Sequence, residues 1–119
     1  MQKPPFQPLH VERPWGDFIK FVENSPCTVK IITVKSGQAL SLQYHKNRAE
    51  FWHVISGTGV ATIGEEKLKM EVGKEFYTPI GTSHRIEADE SGLVLLEIGY
   101  GAFDESDIVR TEDRYARVV

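Results

Sequence analysis

Donor atoms suited to a metal ion occur at strand-like spacing in the middle of this sequence. Gln43 and His45 are two positions apart, and Glu50 follows after a short polar break at 46–48. Residues two apart on a β-strand point to the same face, so Gln43 and His45 can contribute to one site. A turn of the chain at the break would bring the Glu50 carboxylate opposite them.

A second segment of the chain supplies a further histidine. Gly73, Pro79 and Gly81 precede His84 at short intervals, which is typical of strands joined by tight turns. We therefore expect His84 to reach the same site from a neighbouring strand and to be its fourth ligand.

The combined donor set contains two imidazoles, one carboxylate and one amide oxygen. This mixture suits a divalent first-row transition metal better than calcium or magnesium. Zinc, manganese, cobalt, nickel and iron are not distinguished, because both affinity order and availability decide which one is bound. Four protein ligands around an octahedral ion leave two positions for water or substrate, so the site implies chemistry or ligand capture.

Each of these side chains also has a purely structural interpretation. A histidine on a strand is usually hydrogen-bonded or exposed, and Gln43 could satisfy backbone groups. The metal site is nevertheless favoured, because otherwise both segments and their glycines would have to coincide by chance. His10, in a Pro-rich stretch, and His53, which has the opposite strand parity to Glu50, are expected not to be ligands.

The elements that position these residues are predicted to be strands. Residues 28–35 are rich in β-branched side chains, and 67–72 alternate strictly between charged and apolar residues. The nearly continuous apolar run at 92–100 fits a strand buried on both faces, although its periodicity alone does not exclude a buried helix. Many short strands with frequent turns indicate an all-β sandwich or barrel. Only 104–110, which begins with an aspartate, is predicted to form a short helical turn.

Composition indicates one folded domain. Residues 1–14 contain four prolines, which remove backbone donors and fix φ, so this stretch is predicted to be an extended N-terminal arm without a regular element. Residues 15–119 are predicted to form a single domain, because a chain of 119 residues with 40% hydrophobic and 26% charged residues is able to bury a core.

Charge and cysteine content exclude several classes of protein. The net charge is −3 and the basic residues are scattered, which argues against nucleic-acid binding. Cys27 is the only cysteine, so no intrachain disulfide is expected, and the sequence shows neither a signal peptide nor an apolar membrane span. We therefore expect a cytoplasmic protein that binds neither nucleic acid nor membranes.

The two donor segments resemble the two motifs of the cupin superfamily, with Gln43 in place of the first metal His and Ala88 in place of a frequent Asn. More narrowly, the chain resembles the C-terminal cupin domain of type II mannose-6-phosphate isomerases, which usually belongs to a longer isomerase and GDP-mannose pyrophosphorylase. The resemblance implies a cupin double-stranded β-helix, a jelly-roll β-barrel. It extends from Arg13 to Arg117 and is carried by Arg13-Pro-Trp-Gly16, Val29-Lys30, Leu40-Ser-Leu-Gln43, His45, Arg48-Ala-Glu50, Trp52, Ser56-Gly-Thr58, Pro79, Gly81, His84-Arg85, Glu97, Asp107-Ile-Val-Arg110 and Glu112-Asp113.

This resemblance implies a metal-dependent aldose–ketose isomerase that interconverts mannose 6-phosphate and fructose 6-phosphate in polysaccharide-precursor metabolism. In such an enzyme a metal on the four donors binds O1 and O2 of the open-chain sugar and stabilises an enediolate, while a base moves a proton between C1 and C2. The resemblance further implies that Arg48 binds the phosphate or stabilises the enediolate, and that Lys30 contributes from a barrel strand.

The chain also departs from this branch of cupins. Asn47 and Phe51 stand where histidines are usual, Ser36 where proline is usual, and Ala116 where glycine is usual. The two missing imidazoles favour a non-catalytic cupin that binds a sugar or another metabolite, and an iron-dependent dioxygenase also fits the donor set. GDP-mannose synthesis is not expected of these 119 residues alone.

The expected partner is a small sugar phosphate. A homodimer is also expected, because the Pro-rich arm and the apolar strand 93–98 offer surface to share.

Overall fold

The computed structural model describes residues 7–101, 104 and 106–112. All regular elements in this part of the chain are β-strands, which confirms the predicted all-β class. No helix among the described residues is long and apolar enough to cross a membrane. The strands are β1 Leu9–Arg13, β2 Gly16–Lys20, β3 Cys27–Val34, β4 Leu42–Tyr44, β5 Arg48–Ile63, β6 Glu66–Met70, β7 Glu75–Thr78, β8 His84–Gly101 and β9 Val109–Glu112.

Two long strands, β5 and β8, organise the main sheet of seven strands. They pair antiparallel from Arg48 opposite Gly101 to Ile63 opposite His84. The strands β3 and β4 pair with β8, β6 and β7 pair with β5, and β9 pairs with β4. The first residues of β5 and of β8 therefore lie at opposite ends of one ladder, and only a curved sheet can bring them together.

Glycines allow the two long strands to bend. The register between β5 and β8 shifts between Val54 and Ser56 and again between Gly57 and Gly59. A Cβ atom on Gly57 would lie 2.0 Å from the Gly92 carbonyl oxygen, and one on Gly59 would lie 2.2 Å from the Glu87 carbonyl oxygen. Only glycine permits such a close approach of two backbones at a bulge.

The hydrophobic core lies between these strands. Residues 92–100, predicted from their apolar run to be a strand buried on both faces, belong to β8 and contain no exposed residue. Leu93 and Leu95 of this strand are fully buried beside Trp52 and Val54 of β5. Full burial of each such side chain contributes roughly 1.5–3 kcal/mol, so the barrel has an apolar core of its own.

The predicted helical turn over 104–110 is wrong. Asp104 accepts hydrogen bonds from the Ser106 backbone and hydroxyl, which closes a local turn, and Val109–Glu112 continues as strand β9. An acidic residue able to cap a helix satisfies the backbone of a tight turn equally well. The β-branched residues that follow then pair with β4.

The N-terminal stretch also differs from its prediction. Residues 1–6 lie outside the described residues, but Leu9–Arg13 is a regular strand that pairs with Gly16–Lys20. Pro14 occupies the turn between the two strands, where its fixed φ and missing N–H cost no ladder hydrogen bond. The limits of the single domain expected over 15–119 stay a prediction.

Candidate metal centre

Three of the four predicted donors lie together in the interior. The His45 Nε2 atom is 3.2 Å from Oε2 of Glu50, and the His84 Nε2 atom is 3.4 Å from Oε1 of the same carboxylate. One donor atom from each residue lies within 4.8 Å of the others, and all three residues are buried. The structure thus forms a His-Glu-His group that could hold a metal ion.

Backbone carbonyls orient both imidazoles toward the carboxylate. The Nδ1 atom of His45 lies 2.6 Å from the Asp107 carbonyl oxygen, and Nδ1 of His84 lies 3.1 Å from the Thr82 carbonyl oxygen. A carbonyl oxygen can only accept, so each Nδ1 carries the proton and each neutral ring keeps its Nε2 lone pair. Metal-bound histidines are typically held in this way.

Gln43, the remaining predicted donor, lies beside His84. It is directly opposite His84 in the pairing of β4 with β8, so the two side chains share a face. Its Oε1 atom is buried and has no hydrogen-bond partner among the described residues. A buried amide oxygen without a donor fits a role as a metal ligand, so the residues present suit the mixed N/O site.

The electrostatics of the group favour positive charge between these side chains. Burial raises the pKa of Glu50, but hydrogen bonds and charge from His45 and His84 outweigh it and hold that pKa well below its usual range. Burial lowers the pKa of His45, and the hydrogen bond and charge of Glu50 then raise it above its ordinary value. A divalent ion would satisfy the same carboxylate without protonating the imidazoles.

Arg48 lies against this group and is not free at the surface. Its Nε atom is 3.3 Å from Oε2 of Glu50, its Nη1 atom donates to the Asp104 carbonyl oxygen at 3.0 Å, and its Nη2 atom is 3.5 Å from Nε2 of His45. The side chain is 5% exposed. The guanidinium is therefore a buried positive charge next to the metal donors.

A cavity of about 230 Å³ opens beside the donors. Lys30 lines it and is half-buried, although a strand lysine is more often exposed. Glu97, directly opposite Lys30 in the pairing of β3 with β8, lines the same cavity. Burial and the neighbouring charge of Glu50 raise the pKa of Glu97 to about 7, although Lys30 acts in the opposite direction.

Sequence reasoning did not assign Glu97, Ser41 or Arg110 to the site, but all three line the cavity. Two signals could have indicated them. Glu97 is the only charged residue in the apolar run 92–100, and Ser41 has the same strand parity as Gln43 and His45. Arg110 had no such local signal, because its segment was predicted to be helical, although Arg110 is among the residues that carry the family resemblance.

The two histidines expected not to be ligands lie elsewhere. His10 bonds to Asp17 in the β1–β2 hairpin, and the Nδ1 atom of His53 is 2.8 Å from Glu75. The two residues that stand where histidines are usual, Phe51 and Asn47, also lie away from the candidate metal donors. Phe51 packs in a hydrophobic cluster with Ile98, and Asn47 is exposed.

Comparison with known proteins identifies the family. The family model described as "Mannose-6-phosphate isomerase C-terminal" matches residues 6–113. The chain belongs to this family. The resemblance inferred from the sequence motifs is thus confirmed, and with it the cupin β-barrel fold.

Curated relatives of this family member are several times longer than the chain. "Xanthan biosynthesis protein XanB" of Xanthomonas campestris pv. campestris is 44% identical over 109 residues, which cover 90% of this chain and 23% of that protein. "Mannose-1-phosphate guanylyltransferase ManC" of Salmonella typhimurium is 41% identical over 110 residues, with 91% and 23% coverage. The chain thus spans about a quarter of these relatives.

Solved structures share the fold. Oxalate decarboxylase from Bacillus subtilis superposes with a TM-score of 0.66 at 27% identity, covering 73% of this chain and 24% of that one.

Proposed function

We propose that this chain is an aldose–ketose isomerase that uses a divalent transition metal to interconvert mannose 6-phosphate and fructose 6-phosphate. The observation that carries the proposal is the buried His45, Glu50 and His84 group. Two of its members, His45 and Glu50, line a cavity that also contains three cationic side chains. Membership of the mannose-6-phosphate isomerase family supports the choice of substrate, as does similarity to a xanthan biosynthesis protein and a mannose-1-phosphate guanylyltransferase.

His45, Glu50, His84 and Gln43 would hold the ion. When bound, it would act as a Lewis acid toward the carbonyl oxygen and adjacent hydroxyl of the open-chain sugar. The chain's own residues prepare the site for that role. Backbone carbonyls keep both Nε2 atoms available, and burial of the donors excludes bulk water from their far side.

Arg48 supplies positive charge where the reacting oxygens would gather negative charge. Its contacts with Glu50, His45 and the Asp104 carbonyl oxygen fix the guanidinium before a substrate arrives. A donor that is already oriented in a buried site stabilises developing charge without a cost of reorganisation. We therefore assign Arg48 to the reacting end of the sugar, and not to its phosphate.

A metal screen coupled to an isomerase assay tests the proposal. The purified chain is loaded in turn with zinc, manganese, cobalt, nickel or iron, and formation of fructose 6-phosphate from mannose 6-phosphate is followed. We expect turnover with at least one metal, loss of turnover with a chelator, and recovery when that metal is returned. Stoichiometric metal binding without turnover on any hexose phosphate would replace the proposal with a non-catalytic, ligand-binding cupin.

A further inference from the structure

Buried polar atoms without partners concentrate at the cavity. Among the described residues, five buried side-chain polar atoms have no hydrogen-bond partner, and three of them, Ser41 Oγ, Gln43 Oε1 and Arg110 Nε, belong to residues that line this cavity. Buried polar groups are normally satisfied, because leaving one unpaired costs about 1–3 kcal/mol. Because Gln43 Oε1 is a candidate metal ligand, the Ser41 hydroxyl and the Arg110 Nε–H are the unpaired groups that the described part of the wall leaves for a polar ligand.

The three cationic residues of the wall are not equivalent. Arg48 donates to the Asp104 carbonyl oxygen and contacts Glu50, and Lys30 lies opposite Glu97, whose charge it compensates. The Nε atom of Arg110, in contrast, is buried and has no hydrogen-bond partner among residues 7–101, 104 and 106–112. Arg110 is thus the cation with a donor available for an anionic group.

Strand pairing places Arg110 at a defined distance from the metal donors. Arg110 on β9 is opposite Gln43 on β4, and Gln43 is opposite His84 on β8, so the three residues form one row across the sheet. Adjacent strands are about 4.8 Å apart, which separates the backbones of Arg110 and His84 by roughly 10 Å. A ligand that spans this row needs a metal-binding end and an anionic end separated by several bonds.

We propose that Arg110 binds the phosphate group of the substrate. This inference rests on the proposed function and specifies the class of substrate: a sugar with its phosphate at the end of the chain remote from the carbonyl. In a hexose 6-phosphate the carbonyl end would lie at the His45, Glu50 and His84 group, and the phosphate would lie at Arg110. A planar guanidinium can form two parallel hydrogen bonds with phosphate oxygens.

Two substitutions of Arg110 and one control test the proposal. Arg110→Gln removes the charge, and Arg110→Lys keeps the charge but loses the planar fork. Arg13→Gln is the control, because Arg13 lies in the β1–β2 hairpin and contacts the Glu12 carbonyl oxygen and the Phe18 ring. Isothermal titration of metal-loaded protein with mannose 6-phosphate and with mannose measures the recognition of phosphate directly. Metal content and circular dichroism are recorded for every variant.

We expect Arg110→Gln to weaken mannose 6-phosphate binding by about tenfold or more, a loss of about 1.4 kcal/mol. Arg110→Lys should lose less, and Arg13→Gln should match the wild type. Mannose binding and metal content should not change in any variant. If Arg110→Gln does not fold, the same comparison is made with Arg110→Lys. In addition, inorganic phosphate is tested as a competitor of mannose 6-phosphate for binding to the wild-type protein.

The inference and the proposed function fail in different ways. If a folded Arg110→Gln variant binds mannose 6-phosphate as tightly as the wild type, Arg110 does not bind the phosphate. The proposed isomerase function would still stand in that case, provided that the wild type isomerises the sugar. Arg110-dependent binding without turnover would support the phosphate site and contradict the isomerase. A wild type that binds mannose and mannose 6-phosphate equally would also overturn the phosphate site.

Discussion

Two parts of the interior are built from the same faces of the same two strands but differ in chemistry. On β8, Leu95 is fully buried in the apolar core, whereas Glu97, two residues further along the same face, lines the polar cavity. On β5, Val54 belongs to the core, and Glu50, four residues earlier, carries the carboxylate of the candidate metal group. The apolar part stabilises the barrel, so the polar part is free to hold charges whose burial alone is unfavourable.

Removing a metal ligand should produce the largest difference between the two parts. We expect His84→Ala to lose most of the bound metal while the metal-free barrel keeps its fold, because the apolar core does not need the ion. Elemental analysis beside circular dichroism measures both properties. His53→Ala is the control, since His53 bonds to Glu75 outside the metal group. Full metal retention in His84→Ala would remove His84 from the ligands.

A truncation in the apolar part should have the opposite effect. Leu95→Ala should lower the free energy of unfolding by about 2–5 kcal/mol, because a cavity replaces a fully buried side chain. The folded variant should still bind metal. Ile31→Ala is the matched control, since Ile31 is 60% exposed and its truncation should change stability little. Chemical denaturation measures the free energy of unfolding of both variants. An equal loss of stability in Leu95→Ala and Ile31→Ala would contradict the assignment of Leu95 to the core.

Acid should affect the polar part before the apolar part. Glu50 raises the pKa of His45, so below that pKa a proton occupies the imidazole that the metal needs. Metal affinity should therefore fall as the pH drops through the neutral range, by up to about tenfold per pH unit for each proton displaced. The same raised pKa stabilises the metal-free fold at low pH, and this contribution is lost as the pH rises. Competitive chelation across pH values makes the measurement, and a His45→Ala variant with the same pH profile as the wild type would show that His45 is not the group responsible.

Arg48→Lys tests the buried positive charge beside the candidate metal group. A lysine cannot reproduce the three separate contacts of the guanidinium, so kcat/KM on mannose 6-phosphate should fall by about tenfold, or roughly 1.4 kcal/mol. Bound metal should be retained. A coupled assay at saturating metal makes the measurement, and a variant that matches the wild type would exclude Arg48 from catalysis.

The smallest effect is expected at Gln43. Gln43→Ala should weaken metal binding less than Glu50→Gln does, because water can replace a neutral amide oxygen but not the negative charge of a carboxylate. Competitive chelation ranks the two variants. Equal losses would show that the number of ligands, and not their charge, sets the affinity.

Local patterns in the sequence indicated several of the strands and some of the side chains of the candidate metal group. Strand alternation predicted that Gln43 and His45 share a face, and both line the cavity. The apolar run at 92–100 indicated the buried segment of β8. Both patterns can be recognised locally, because each depends on the residues of one segment alone. The mistaken helix at 104–110 has the same origin, since capping aspartates and turn aspartates look alike locally.

Only the tertiary structure decided which residues meet at the site. Glu50 and His84 belong to opposite ends of the β5–β8 ladder, yet their side chains are 3.4 Å apart because the sheet closes on itself. The pairing of β9 with β4 likewise places Arg110 beside Gln43, although they are 67 positions apart in the sequence. Which strands become neighbours depends on pairing between distant segments, and that choice is made by the packing of the whole barrel.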